Sequence, residues 1–266
     1  MKKDFLQLII DRKRLEIRAA QKELPEDRIR EKAEEKQREK RPFYAVLAGA
    51  DVDRINIIAE IKRASPSKGD IRPDLDPFQL AGLYEKGGAS ALSVLTDTSF
   101  FKGSADDFQQ ARQGSGLPML RKDFLISSYQ IYESVLLGAD AVLLIARILS
   151  REQLKDYLML CRELNLDALV EIHNPEDLEN AIWAKAALIG INNRNLSSFD
   201  TDIRIAMELV SRLEPYQTPV AASGISGRED IVRNLSYGIH NFLIGESLVK
   251  AKDPAGLIRS LTGRKE

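Results

Sequence analysis

Eight short apolar runs, separated by helix-length amphipathic stretches, constrain this chain more than any other feature. They are Ile55–Ile61, Ala91–Leu95, Pro118–Leu120, Ala141–Ile145, Ala168–Ile172, Ala187–Ile191, Pro219–Ala222 and Asn241–Ile244. Runs of this length without polar alternation read as parallel strands buried on both faces, and the alternation reads as βα units. Eight units over roughly 200 residues is the count of a (β/α)8 TIM barrel; the competing arrangement is an open doubly wound sheet. An internal repeat favours the barrel. GASALSVL at Gly88, GADAVLLI at Gly138, KAALIGIN at Lys185 and YGIHNFLIG at Tyr237 fall at every second strand, and Gly88, Gly138 and Gly238 are placed as helix C-caps. Alternate strands of a closed barrel supply the same core layers, so their similarity fits closure.

Residues 1–45 read differently. Leu6, Ile9, Ile10, Leu15 and Ile17 form an apolar stripe at helical spacing, Pro25 breaks it, and a second helix is expected over Glu26–Lys40. The run REKAEEKQREKR mixes both signs and reads as a solvated helix with i,i+4 pairs, not a nucleic-acid arm. We therefore expect an N-terminal helical extension, 1–45, packed on a barrel, 46–266, the two forming one domain. The 266 residues carry 39 basic and 40 acidic side chains for a formal net charge of −1, which speaks against a nucleic-acid module. One cysteine, Cys161, precludes an intramolecular disulfide; with two histidines it leaves no zinc-ligand spacing. No apolar run approaches the ~20 residues of a membrane span, and the amino-terminal segment lacks a signal-peptide core. The expectation is a cytoplasmic monomer without metal, membrane or nucleic-acid partner.

The carboxyl ends of barrel strands converge on one face, where active sites form. The segment IAEIKRASPSKG, Ile58–Gly69, ends an apolar strand in Glu60 and Lys62, which share a face because side chains alternate. A structural ion pair closing the strand is the plainer reading. The other strand ends supply Thr96, Lys122, Glu171, Asn192, Arg194, Ser223 and Gly245. Two lysines, two carboxylates, an amide and an arginine at one mouth exceed what strand closure requires. The last two strands end in ASGI and IGES; Gly224 and Gly245 let backbone approach a ligand, and helix N-termini beyond them suit an anion such as phosphate.

The stretches AEIKRASPSKG, SVLTDTSFFKG, LRKDF, YQIYES, GADAVLLI, LVEIHN, LIGINNRNL and LIGESL, spread over nearly the whole chain, closely resemble the indole-3-glycerol phosphate synthase family. The resemblance implies a carbon–carbon lyase of tryptophan biosynthesis, acting without cofactor or metal on a small anionic phosphorylated substrate. Its reaction is ring closure, with decarboxylation and dehydration, of 1-(2-carboxyphenylamino)-1-deoxyribulose 5-phosphate. By the same resemblance Lys122 is the general acid at the substrate carbonyl, Glu171 the base of the dehydration, Lys62 a substrate and phosphate contact, and Glu60 the partner that holds Lys62. Asn192 and Ser223 complete the catalytic set. Ser65 and Arg194 surround the substrate carboxylate, and Phe101, Phe124, Leu143 and Ile145 wall the aromatic ring. Gly224, Gly245, Glu246 (through its backbone) and Ser247 cradle the phosphate. The loop Arg63–Asp74, with Pro66, Gly69 and Pro73, is read as a lid.

One position departs from the family pattern: Ala222 stands where a glutamate usually precedes the Ser-Gly of strand seven. Plain readings suit other features. His173 is expected to be structural, His240 to sit at a strand entry, Trp183 to be packing on a helix, and the GSG of Gly114–Gly116 precedes a strand and so is no nucleotide fingerprint. Two alternatives stand beside the synthase: a phosphoribosylanthranilate isomerase-like enzyme, and a non-catalytic barrel that binds phosphate metabolites.

Overall fold

The structure, a computed structural model, describes residues 5–36, 39–49, 54–194 and 204–264. Eight strands close into a parallel barrel: β1 Asn56–Ile61, β2 Ala91–Leu95, β3 Met119–Lys122, β4 Ala141–Ile145, β5 Asp167–Ile172, β6 Leu188–Asn192, β7 Thr218–Ala222 and β8 Asn241–Ile244. Each strand pairs with its sequence neighbours, and β1 with β8 completes the ring, Ala59 opposite Ile244. This is the fold that the apolar runs predict, not the open sheet.

Strand alternation sorts the core into two sets. Ile58, Leu120, Leu143, Leu169, Leu188, Val220 and Leu243 fill the interior of the barrel. Their neighbours Ile57, Met119, Leu144, Val170, Ile189, Ala221 and Phe242 pack outward against the helices. Each side is apolar, which is why the strands read as continuous runs. Several strand–helix loops end in a side-chain cap that fixes where the helix starts. Asp76, Ser104, Ser127, Ser150 and Asn174 each accept a hydrogen bond from a backbone N–H in the first turn of the helix that follows. At the other ends Gly88, Gly138 and Gly238 adopt φ of 85°, 88° and 80°, the left-handed turn that glycine takes without a Cβ penalty.

The extension forms three helices: α1 Phe5–Glu23, α2 Glu26–Glu35 and α3 Phe43–Ala48. The second is shorter than the charge pattern suggests, because Lys36 turns to an extended conformation. α1 lies over the carboxyl ends of the strands, where Lys13 reaches Asp97 and Asp123. α2 runs beside the helix Ser128–Leu137, with Ser128 donating to Glu26 at 2.5 Å and Tyr129 to the carbonyl of Leu24 at 3.1 Å. α3 closes the opposite end: Phe43 and Leu47 join the interior core, and the Tyr44 N–H donates to Asp167 at the start of β5. The extension thus spans the barrel from mouth to base. On α2 the exposed pairs Arg28–Glu31 and Arg30–Glu34 match the solvated reading of its charges.

Trp183 departs from expectation. It is exposed, with Arg151 and Lys155 each 5.2 Å from the ring centroid, so cations and not core residues cover it. Cys161 is buried, as a packing residue should be. Among the described residues no helix is long and apolar enough to cross a membrane.

Candidate active site

A cavity of about 560 Å³ opens at the carboxyl ends of the strands. At its floor, β1 presents Glu60 and Lys62 inward, and the Lys62 Nζ lies 2.6 Å from one Glu60 oxygen. The other oxygen of Glu60 lies 3.7 Å from the Nζ of Lys122, at the end of β3. One carboxylate is therefore shared by two lysines. Burial pushes the Glu60 carboxyl up; Lys62 and then Lys122 pull it down, and it ends below the usual carboxylate range. Burial pushes Lys122 down, but Glu60 and then Glu171 outweigh it and leave the ammonium above its ordinary value. Desolvation alone would lower the pKa of a buried lysine; the two carboxylates reverse that direction in this site.

Glu171 ends β5 opposite these groups. Its strand is fixed by the turn that follows: Asn174 caps the next helix through Asp177, and Asp177 accepts from the His173 N–H at 2.9 Å. The buried His173 ring lies 3.5 Å from Glu171 and 3.7 Å from Asp177, behind the carboxylate and not in the cavity wall. On β6, Asn192 accepts from the Arg194 N–H at 3.0 Å, and the Arg194 guanidinium donates to Ser67 at 2.8 Å. Arg194 thus reaches the tip of the loop after β1. That loop holds a small hairpin, Ala64–Ser65 with Gly69–Asp70, and its base is held by Arg63 on Asp107 at 2.7 Å.

The end of β7 is strained. Ser223 and Gly224 have φ of 65° and 79° in succession, and the Ser223 carbonyl accepts from the Asn193 side chain at 3.0 Å. At β8, a Cβ on Gly245 would lie 2.5 Å from the Glu60 carboxylate and 3.1 Å from Lys62. The position is closed to a side chain by the charge pair as well as open to ligand backbone contact. The helix after it, Glu246–Lys250, is only five residues long. The Oγ atoms of Ser65 and Ser247 and one oxygen of Glu60 are buried without a hydrogen-bond partner, the pattern of a site that awaits a polar ligand.

Phe101 and Phe124 face each other with ring centroids 6.0 Å apart, and with Leu143 and Ile145 they form an apolar wall. Glu60, Lys62, Ser65, Lys122, Glu171, Asn192, Arg194, Ser223, Gly224, Gly245, Glu246 and Ser247 all border the same cavity. Thr96 does not. Ser93 and Leu95 share the inward parity, so Thr96 turns out and donates to Asp123 at 2.6 Å. Sequence reasoning missed Phe5, Leu6 and Ile9, which α1 brings to the cavity, and the basic Lys68 and Lys250. The stripe Leu6–Ile9 was the available signal, but nothing local to it says which part of the barrel it covers.

Fold and cavity together define a TIM barrel whose mouth gathers two lysines and two carboxylates beside an aromatic wall. The family model described as indole-3-glycerol phosphate synthase matches residues 6–261. The chain is similar to the indole-3-glycerol phosphate synthases of Desulfosudis oleivorans, 53% identical over 97% of this chain and 98% of the relative, and Syntrophobacter fumaroxidans, 49% identical over 98% of each. Among solved structures, thiamine phosphate pyrophosphorylase from Pyrococcus furiosus has a TM-score of 0.59 at 13% identity, over 80% of this chain and 96% of that one. That likeness is one of fold alone. The chain belongs to the indole-3-glycerol phosphate synthase family.

Proposed function

We propose that this enzyme converts 1-(2-carboxyphenylamino)-1-deoxyribulose 5-phosphate to indole-3-glycerol phosphate, carbon dioxide and water, with the residue roles that follow. The observation that carries the assignment is one buried carboxylate, Glu60, shared by Lys62 and Lys122 at a cavity that Glu171 also lines. Lys122, charged before substrate arrives, donates to the ketone oxygen while the ring carbon that bears the carboxylate attacks the carbonyl carbon. The carbon–carbon bond forms, the carboxylate leaves as carbon dioxide, and its bonding electrons restore the ring. The new hydroxyl then departs as water. A lysine supplies its proton, and Glu171 takes the proton whose loss completes the indole.

Phe101, Phe124, Leu143 and Ile145 hold the ring, and Arg194, Asn192 and Ser65 surround its carboxylate. A planar guanidinium fits a carboxylate, yet too tight a grip on the ground state would slow its loss. Arg194 is shared with Ser67, which tempers that grip. Gly224, Gly245, Glu246 (through its backbone) and Ser247 take the phosphate with Lys62, the orphaned hydroxyl of Ser247 among the donors. The loop Arg63–Asp74 closes over bound substrate and excludes water. The enzyme is proposed to act in the cytoplasm, as a monomer. Lys122→Met tests the central role: turnover should fall by ~10²–10⁴-fold with substrate still bound, as for loss of an acid–base group. Near-full activity in that variant would remove Lys122 from the mechanism.

A further inference from the structure

Lys13 lies on α1, far in sequence from every residue assigned above, yet only 3% of it is exposed. Its ammonium is 2.8 Å from Asp97, 2.8 Å from Asp123 and 2.9 Å from Glu16. The two aspartates do not serve Lys13 alone. Asp97 accepts from the N–H groups of Phe100 and Phe101, at 2.7 and 3.1 Å. Asp123 directly follows Lys122; it accepts from the Phe124 N–H at 2.8 Å and from Thr96 at 2.6 Å. Each aspartate thus fixes the backbone of one member of the facing pair Phe101–Phe124. One ammonium joins the two turns. Burial pushes Lys13 down, while Asp123 and Asp97 push it up and prevail, so the cation persists inside the protein.

We propose that Lys13 is a positioning residue that sets the spacing of the Phe101–Phe124 wall and the end of β3, so that the extension takes part in ring recognition and not only in stability. The inference rests on the assignment of that wall to the substrate ring. Removing the ammonium takes away the one tie between the two turns and leaves the buried Asp97 without its cation, while Asp123 keeps Arg121 at 3.4 Å. Displacements near 1 Å at a reacting centre cost up to ~10²-fold, so a shift in the wall should be read in ring affinity first.

The test compares wild type, Lys13→Arg, Lys13→Met and the double variant Lys13→Met/Asp97→Asn at a temperature well below each melting point. The asparagine keeps an acceptor for Phe100 and Phe101 and removes the stranded charge, so it guards against a single variant that fails to fold. Competitive inhibition is measured with 2-aminobenzoate for the ring site and inorganic phosphate for the phosphate site, beside kcat and KM. The expected result is a rise of about tenfold or more in the 2-aminobenzoate inhibition constant and in KM for Lys13→Met. Phosphate inhibition should be unchanged and Lys13→Arg should recover most of the loss. The double variant should regain melting temperature without regaining ring affinity. Ring affinity that returns in step with melting temperature, or that never changes, overturns the proposal and leaves Lys13 a structural ion. A wild type that 2-aminobenzoate does not inhibit overturns the ring-wall assignment and the proposal with it, whereas an inhibited wild type with an unchanged Lys13→Met overturns the proposal alone.

Discussion

Gly245→Ala isolates the geometry of the charge pair with one methyl group. The position has φ of −123°, outside the left-handed region, so alanine meets no left-handed penalty. What it meets is the Glu60 carboxylate at 2.5 Å, the Glu60 Cβ at 3.2 Å and the Lys62 ammonium at 3.1 Å. Ordinary contact begins near 3.4 Å, so the carboxylate must retreat by roughly 1 Å. Glu60 bridges Lys62 and Lys122, so this retreat displaces both lysines from the position that the reaction uses. A shift of that size costs ~10²-fold in turnover, equivalent to about 2.7 kcal/mol of barrier. Overpacking should destabilise the fold by ~1–3 kcal/mol. The two effects separate in a second variant, Gly245→Ala/Glu60→Asp, which shortens the acid by one methylene and relieves the overlap. Its melting temperature should recover while turnover stays low, because the shorter side chain no longer spans both lysines. Turnover is followed by the fluorescence of indole-3-glycerol phosphate. Folded Gly245→Ala with kcat within about threefold of wild type would refute the argument that the placement of Glu60 limits the reaction.

Further outcomes follow from the same site. The folded carboxyl of Glu60 lies below its ordinary value, so its stabilising contribution is present above the unfolded pKa, near 4.3, and is lost as pH falls through the lowered folded value. Urea midpoints of wild type and Glu60→Gln should therefore differ by an amount constant from pH 8 to 6 that shifts towards Glu60→Gln only below about pH 4; no change in the gap down to pH 3 would contradict the sign. Activity should survive exhaustive chelation and dialysis, and a loss restored by Mg²⁺ or Zn²⁺ would end the all-protein mechanism. Ala222→Glu adds a carboxylate to the cavity, where it would favour the charged form of Lys62 and should move the basic limb of kcat/KM upward with unchanged products. A wild type that yields no indole-3-glycerol phosphate, with activity appearing only in that variant, would mark a lapsed enzyme.

The barrel was legible because strands buried on both faces carry a signal that needs no tertiary information. Each of the eight apolar runs became a strand, and residues at the strand ends reached one cavity because the alternation of Glu60, Lys62, Lys122, Glu171 and Asn192 matched that of the core residues before them. Thr96 shows the limit of reading ends without counting parity. The hairpin inside Arg63–Asp74 depends on two-residue pairings too short to leave a pattern. The extension hid more. Lys13 reads as one more solvated charge in a charged helix; only the approach of Asp97 and Asp123, 84 and 110 residues later, makes it buried. The raised pKa of Lys122 was beyond a strand-by-strand reading for the same reason, since its two opposing carboxylates come from β1 and β5.

The same contacts explain how a chain of near-zero net charge binds a substrate with two anionic ends. Around the cavity, Asp123 is taken up by Lys13, and Glu246 by Lys250 at 2.7 Å. What remains is Lys62, Lys68, Lys122 and Arg194 against Glu60 and Glu171. Two positive charges in excess, inside a protein whose formal net charge is −1, offset most of the roughly −2.5 to −3 carried by a phosphate monoester and a carboxylate. Ala222 belongs to this balance. It lies in register between Asn192 on β6 and Leu243 on β8, on the cavity wall. A third carboxylate there would remove one of the two excess charges, and it would give the lysines a partner other than Glu60. With alanine, Glu60 alone ties the two lysines together among the contacts seen here, which makes its placement against Gly245 the geometric centre of the site.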